Sequence, residues 1–434
     1  MPRKTAARTA RLASIPLGVA GRAVGGWGKR LAGHNADMVS AELSAKTAEQ
    51  LFAVLGQLKG GAMKFGQALS VFEAAVPDEM AAPYREALTK LQSAAPPMSS
   101  ATTHRVLAEQ LGKSWADRFS SFEDRPSAAA SIGQVHHAVW HDGREVAVKV
   151  QYPGADQALM SDLRQLQRFS KLFQMLVPGT DVKPLLQELT DRMSEELDYR
   201  SEAASQRAFA KAFAGDPHVL VPRVVASAPK VLISEWVEGV PLSSIIRDGD
   251  REQRDRAGLL LAEFHYSSPA RVGLLHSDPH PGNFMLMADG RLCVIDFGAV
   301  AQLPGGLPEI HGRMMRLALD GRSCELLELL QEAHFVRPGG RVPEAEHVYA
   351  YLAPFVEPLK GETFHFTRRW MQKQAMRVSN MRGQDFRTGR SLNLPPQYLL
   401  LHRVLGGSTG ILCQLDAELP VRELIDRWQP GFAA

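Results

Sequence analysis

Cysteine is scarce. Three residues, Cys293, Cys324 and Cys413, stand in 434, scattered and without CxxC spacing. That excludes a disulfide framework and a cysteine-based zinc site and makes a reducing compartment the default. Long hydrophobic runs are missing too: the longest stretch free of Asp, Glu, Lys and Arg, Pro126 to His141, contains Pro, Gly and His. It is too short and too polar for the roughly 20 apolar residues a membrane-spanning helix needs. Acidic residues are absent before Asp37, whereas Arg3, Lys4, Arg8, Arg11, Arg22, Lys29 and Arg30 all precede it. The net charge of +3 therefore belongs to a basic tail; the remainder holds 43 basic and 47 acidic residues, net −4. What is present is ordinary for a globular chain, 45% hydrophobic and 22% charged, which excludes wholesale disorder, a collagen-like repeat and a coiled-coil rod.

On a helix, Arg11, Arg22 and Lys29 would fall within about 20° of one another beside Leu12, Val19 and Trp27, a face suited to anionic lipid. The glycines at 18, 21, 25, 26, 28 and 33 equally suit a disordered arm. Both readings stand for residues 1–35. Helical periodicity follows over 36–92 and 101–112, with a Pro-rich break at Pro96-Pro97 between them. Val135–Trp140, His141-Asp142-Gly143 and Glu145–Val150 read as a hairpin, 155–212 as helical, Val231–Val237 as a short apolar strand and 250–266 as helix. A second hairpin, Phe284–Met287 and Arg291–Asp296, carries Ala288-Asp289-Gly290, the signal of a type I′ turn. From about 307 the chain is mostly helix and loop. The expected fold class is α+β, a two-lobed body with a helical N-terminal extension. Its divisions are a tail (1–35), the extension (36–112), an N-lobe with inserted helices (113–238) and a C-lobe (239–434).

Chemistry concentrates around the second hairpin. His276-Ser277-Asp278-Pro279-His280-Pro281-Gly282-Asn283 precedes it, and Asp296-Phe297-Gly298 closes it. Phosphoryl transfer from ATP needs an acid at the acceptor and oxygen ligands holding Mg²⁺ against the phosphates. Asp278 fits the first role, and Asn283 with Asp296 the second. Upstream, Val146-Ala147-Val148-Lys149 places a lysine on a strand, where a cation grips α and β phosphates. Ala128-Ala129-Ala130-Ser131 stands where a Gly-rich phosphate cover would be. Val231–Val237 fits an inter-lobe hinge, with backbone groups of Glu235 and Val237 facing adenine. Each piece alone is weak; their order is what a kinase-like ATP site requires.

With these residues in place, the chain resembles the UbiB-type atypical kinases, also called aarF-domain-containing kinases, over roughly residues 40–425. Three features carry the resemblance: the KxGQ run Lys64-Phe65-Gly66-Gln67, the Ala-rich loop in place of a Gly-rich one, and the ExD run Glu196-Leu197-Asp198 with Glu202 after it. The resemblance implies that Lys64 folds over the site and meets the ExD acids, with Gln67 beside it. The alanines carry a Cβ that glycine lacks, which should stiffen the loop, alter nucleotide preference and damp transfer. On a helix Asp198 and Glu202 share a face while Glu196 lies away from Asp198, so the partner of Lys149 stays open among the three acids.

The leading expectation is an atypical kinase or ATPase binding ATP or ADP with Mg²⁺ and supporting ubiquinone-type or related lipid metabolism. Anionic or isoprenoid lipids and quinone-pathway enzymes are expected partners and nucleic acid is not; the location is cytoplasmic, with peripheral membrane contact. Alternatives are a small-molecule kinase of the aminoglycoside type and a nucleotide-gated scaffold without turnover. A metallohydrolase using His276, Asp278 and His280 is disfavoured by the flanking prolines, and His280 is expected instead to brace its loop.

Overall fold

The computed structural model describes residues 97–130, 132–157, 197–337, 339, 342–380 and 382–433. The basic tail, the helices expected over 36–92 with Lys64 and Gln67, Ser131, residues 158–196 and with them Glu196 lie outside the described residues. The chain divides into two units: within the described residues the first takes 97–199 and 228–233, the second 200–227 and 234–433.

The elements begin with helix α1 (Ser100–Leu111) and strands β1 (Phe119–Phe122), β2 (Ala128–Ala130), β3 (Gly133–Trp140) and β4 (Glu145–Gln151). Helix α2 (Tyr199–Ala212) and strands β5 (Val219–Leu220), β6 (Val224–Ala228), β7 (Val231–Glu235) and β8 (Val240–Pro241) follow. Next come α3 (Leu242–Asp248), α4 (Arg251–Val272), β9 (Leu274–His276), β10 (Phe284–Leu286), β11 (Leu292–Val294) and β12 (Val300–Gln302). The chain closes with α5 (Glu309–Leu319), α6 (Ser323–Glu332), α7 (Ala345–Val356), α8 (Arg368–Ser379), α9 (Gln384–Ser391), α10 (Pro396–Leu415) and α11 (Val421–Trp428).

One sheet runs in the order β1-β3-β4-β7-β6 with β2 paired on β3. Strand β4 alternates as its sequence dictates: Val146, Val148 and Val150 are fully buried on one face, leaving Ala147 and Lys149 on the other. Helix α1, capped by the Ser99 hydroxyl accepting the Thr102 N–H, buries Thr103, Val106 and Leu107. In the second unit a four-stranded sheet, β5-β11-β10-β8, and the pair β9-β12 frame the loop from Ser277 to Asn283. Their core is completed by α4, which carries a capping box between Asp250 and Gln253 and stops at Gly273 in the left-handed region, φ 72°. Phe209, Phe264, Phe284, Phe297 and Ile411 meet in this core.

Several expectations are corrected. The Ala-rich stretch is a strand, Ala128–Ala130, paired with Gly133–Val135 and not a free loop. The hinge strand stops at Glu235, two residues before Val237. Helix α2 begins at Tyr199, so Asp198 precedes the helix that holds Glu202 instead of sharing it. The second hairpin does not close through a type I′ turn, because only Gly290 takes a positive φ, 82°. Its Gly290 N–H donates to Met287 O and its Met287 N–H to Arg291 O, so a single left-handed glycine suffices. The first hairpin repeats this device with Gly143, φ 89°. In both turns the Asp side chain accepts from the Arg backbone N–H two residues on, Asp142 from Arg144 and Asp289 from Arg291, each at 3.1 Å. Among the described residues no helix is long and apolar enough to cross a membrane.

Candidate active site

In the first unit, antiparallel register sets Ala128 opposite Val135 and Val135 opposite Lys149. Directly paired residues project from the same face, so Ala128, Ala130, Gly133 and Lys149 share one side and Ala129 takes the other. Gly133 has no alternative: a Cβ there would lie 2.3 Å from the Val150 carbonyl oxygen and 2.9 Å from the Tyr199 hydroxyl. Tyr199 is the residue sequence reasoning missed. Its buried ring lies 5.1 Å from the Lys149 ammonium and its N–H donates to Pro229 O. Two residues past Lys149, Gln151 Nε2 donates to Leu197 O at 3.0 Å. Asp198 of the ExD run is thus fixed between two anchored neighbours, one held by the Lys149 strand and the other stacked beside the Lys149 cation.

On the opposite, covered face a closed polar chain fixes the Ala-rich strand's partner. Met98 N–H donates to Gln134 Oε1 at 2.8 Å; Gln134 Nε2 donates to Thr103 Oγ1 at 3.2 Å and to His136 Nε2 at 2.8 Å. His136 Nδ1–H then donates to Glu123 O at 2.8 Å. Burial holds the His136 imidazole below its ordinary pKa, against the opposing pull of the Glu123 carbonyl. Because Gln134 sits opposite Ala129, the chain joins Met98 to the Ala-rich hairpin. Gln134→Leu, which strands the part-buried Met98 N–H and the buried Thr103 and His136 side chains, is expected to lower stability by about 2–4 kcal/mol. A urea midpoint equal to that of the wild type would remove the network from the stability account.

In the second unit, β9 and β12 pair with His276 opposite Val300, which brings the loop after His276 beside Asp296–Gly298. Ser277 N–H donates to Ala299 O, Ile295 N–H to Asn283 O, and Arg403 Nη2 to Ser277 O. Asn283, buried at the end of the loop, donates Nδ2–H to Asp278 O at 3.0 Å, which turns its Oδ1 the other way. Asp296 Oδ1 accepts the Gly298 N–H at 2.9 Å, fixing the carboxylate. His276 Nε2–H donates to Asp296 O at 2.7 Å from a fully buried ring among Phe264, Phe284 and Phe297. Asp278, Asn283 and Asp296 are therefore brought together by short local bonds. Their oxygens suit Mg²⁺, a hard ion that takes one or two protein ligands plus phosphates. His280 does brace the loop: its Nδ1 accepts the Gly282 N–H, which leaves that nitrogen committed.

The remaining expected site residues among those described are Glu202, Glu235 and Val237. Glu202 is buried in the first turn of α2. Glu235 closes the β6–β7 hairpin, its N–H donating to Arg223 O at 3.0 Å and its Oε2 accepting the Arg223 N–H at 2.9 Å. Val237 lies beyond the strand end.

Comparison with known proteins agrees with this geometry. Residues 90–316 match the ABC1 atypical kinase-like domain. The chain is 29% identical over 387 residues to zebrafish (Danio rerio) mitochondrial atypical kinase COQ8B, covering 88% of this chain and 61% of that protein. It is 31% identical over 390 residues to the Rattus norvegicus COQ8B, covering 88% and 72%. A solved structure, the complex of Rv3197 with erythromycin from Mycobacterium tuberculosis, is 53% identical with a TM-score of 0.71, covering 92% of this chain and all of that one. The chain thus spans about three fifths of the zebrafish relative's length.

Proposed function

Because the chain belongs to the ABC1 atypical kinase-like family, we propose that it binds Mg·ATP as an atypical kinase or ATPase and supports isoprenoid-quinone or related lipid metabolism at a membrane surface. The observation that carries this reading is the Asp278–Asn283–Asp296 group, with the Asn283 amide turned by the Asp278 carbonyl and the Asp296 carboxylate held by Gly298. Asn283 Oδ1 and Asp296 Oδ2 would hold Mg²⁺, which when bound neutralises charge along the phosphates. Asp278 orients the acceptor, a hydroxyl or water, and takes its proton. Lys149, its ammonium 5.1 Å from the Tyr199 ring, would supply a cation for the phosphates. His276 sets the height of Asp296 through its carbonyl. The Ala128 and Ala130 methyls, on the Lys149 face, would keep phosphates farther from the backbone than glycines do.

The test is phosphate release from Mg·ATP by the full chain and by Asp278→Asn, with and without anionic liposomes and isoprenoid-quinone precursor analogues. Turnover that rises with these additions and falls roughly 10²–10⁴-fold in the variant is expected. Tight nucleotide binding without turnover under every addition would favour a nucleotide-gated scaffold. A second reading rests on the relative solved with erythromycin: a large, hydroxylated, mainly apolar ring molecule as ligand. Adding erythromycin to the same assay separates the two, since only the second reading expects it to change nucleotide turnover or binding.

A further inference from the structure

Charge in the described residues is concentrated in one place. Between residues 368 and 391 stand Arg368, Arg369, Lys373, Arg377, Arg382, Arg387 and Arg390 against a single acid, Asp385, a net of +6 in a chain whose total is +3. Helices α8 and α9 carry all of them but Arg382, which lies between the two. At 100° per residue, Arg369, Lys373, Met376 and Asn380 fall within about 60° of one another, and all four are exposed. Arg382, Arg387 and Arg390 are exposed on the segment that follows.

The other side of α8 is committed to the protein. Trp370 packs against Phe364 and Phe366 and donates Nε1–H to Glu357. Arg377 donates to Ala350 O and Tyr351 O and pairs with Asp385 at 3.0 Å. Glu357 is thereby engaged by Trp370 and Asp385 by Arg377. Among the described residues, the side chains of Arg369, Lys373, Arg382, Arg387 and Arg390 enter no ion pair with an acid. Beside these cations are the two most exposed large hydrophobic side chains of the described residues, Met376 at 62% and Phe355 at 59%. Met376 precedes Arg377, whose guanidinium lies over the Tyr351 ring; Phe355 lies one turn beyond Tyr351 on α7, in ring contact with it.

We infer that the α8–α9 face docks on an anionic lipid bilayer, with the cations at the headgroups and Met376 and Phe355 entering the headgroup boundary. The inference deepens the membrane side of the function proposed above and rests on it. Charge complementarity selects an anionic partner. The two apolar side chains select a bilayer over a nucleic-acid backbone, which would answer the cations and leave Met376 and Phe355 in water. This face is distant in sequence from the basic tail, so the two cationic stretches can be altered independently.

The test is co-sedimentation of full-length protein with phosphatidylcholine vesicles, with and without phosphatidylglycerol, at low and high salt. Three variants are compared: Arg369→Glu/Lys373→Glu/Arg387→Glu/Arg390→Glu, Phe355→Ser/Met376→Ser, and a full chain with Arg3, Lys4, Arg8 and Arg11 changed to Gln. Nucleotide affinity, expected to be unchanged in all three, confirms folding. Wild-type binding should require phosphatidylglycerol and weaken with salt. The charge-reversed variant should partition roughly tenfold or more weakly, the apolar variant a few-fold more weakly, and the tail variant should retain most of its binding. Wild-type-like binding by both face variants would overturn this face while leaving the membrane reading in place. Failure of the wild type to bind any vesicle would overturn both. Tighter binding to duplex DNA than to vesicles, lost on charge reversal, would make nucleic acid the occupant and overturn the bilayer.

Discussion

Asp296→Asn is expected to lower Mg²⁺-dependent nucleotide affinity by roughly 10²–10³-fold and turnover at least as much, the scale on which a single preorganised electrostatic partner acts. The substitution isolates charge from shape. An asparagine of the same outline keeps an oxygen for the Gly298 N–H, and the His276 bond goes to the backbone carbonyl, which does not change. The loop should therefore stay folded while the anionic ligand is lost. Isothermal titration with and without Mg²⁺ gives the answer. An affinity that still rises with Mg²⁺ as in the wild type would take Asp296 out of the metal site and leave Asn283 to be explained alone.

The second large effect is acid sensitivity of the C-terminal unit. His265 is fully enclosed, bonded through Nδ1 to Leu261 O, and burial together with neighbouring His276 pushes its pKa down to about 3. His311 shares a 2.9 Å Nε2–Nε2 hydrogen bond with His402 between α5 and α10, and burial first, then His402, holds it near 4. Both stay neutral when folded, whereas an unfolded histidine takes up a proton near pH 6.5. Stability is therefore retained above that value and lost as pH falls from about 6.5 toward the folded values. From pH 7 to 5 the two sites together should cost about 4 kcal/mol. Urea midpoints across that range should fall, and His265→Gln should flatten the decline by roughly half. Parallel curves for the variant and the wild type would exclude His265 as a source.

How much of this was legible in the sequence follows from the distance between interacting residues. Asp278, Asn283 and Asp296 lie within one loop and hairpin, so their spacing alone predicted that they meet. The hairpins were legible because Asp-Gly marks each turn; the turn type was not, since Asp289 spends its side chain on the Arg291 N–H and needs no left-handed backbone. Ala128–Ala130 looked like a loop because three alanines have little strand preference, and its pairing with β3 overrode that. Tyr199 beside Lys149, Gln151 on Leu197 and Gln134 under Met98 join residues 36 to 50 positions apart. No local pattern announces such contacts, although the tyrosine directly after the ExD run was a signal that could have been weighed. The basic face of α8 was also visible as composition, but only the inward commitment of Arg377 and Asp385 distinguishes it from a self-neutralised surface.

The bond between Glu235 and Arg223 reaches beyond the hairpin it closes. With its N–H held at 3.0 Å by Arg223 O, Glu235 can offer a purine only an acceptor. Adenine carries an amino donor at its sixth position, where guanine carries an oxygen. A base seated against that carbonyl would be welcomed in the first case and opposed, acceptor to acceptor, in the second. Discrimination between the two purines would then be written in the backbone pairing of two strands, a pairing the Glu235 side chain supports by accepting the Arg223 N–H.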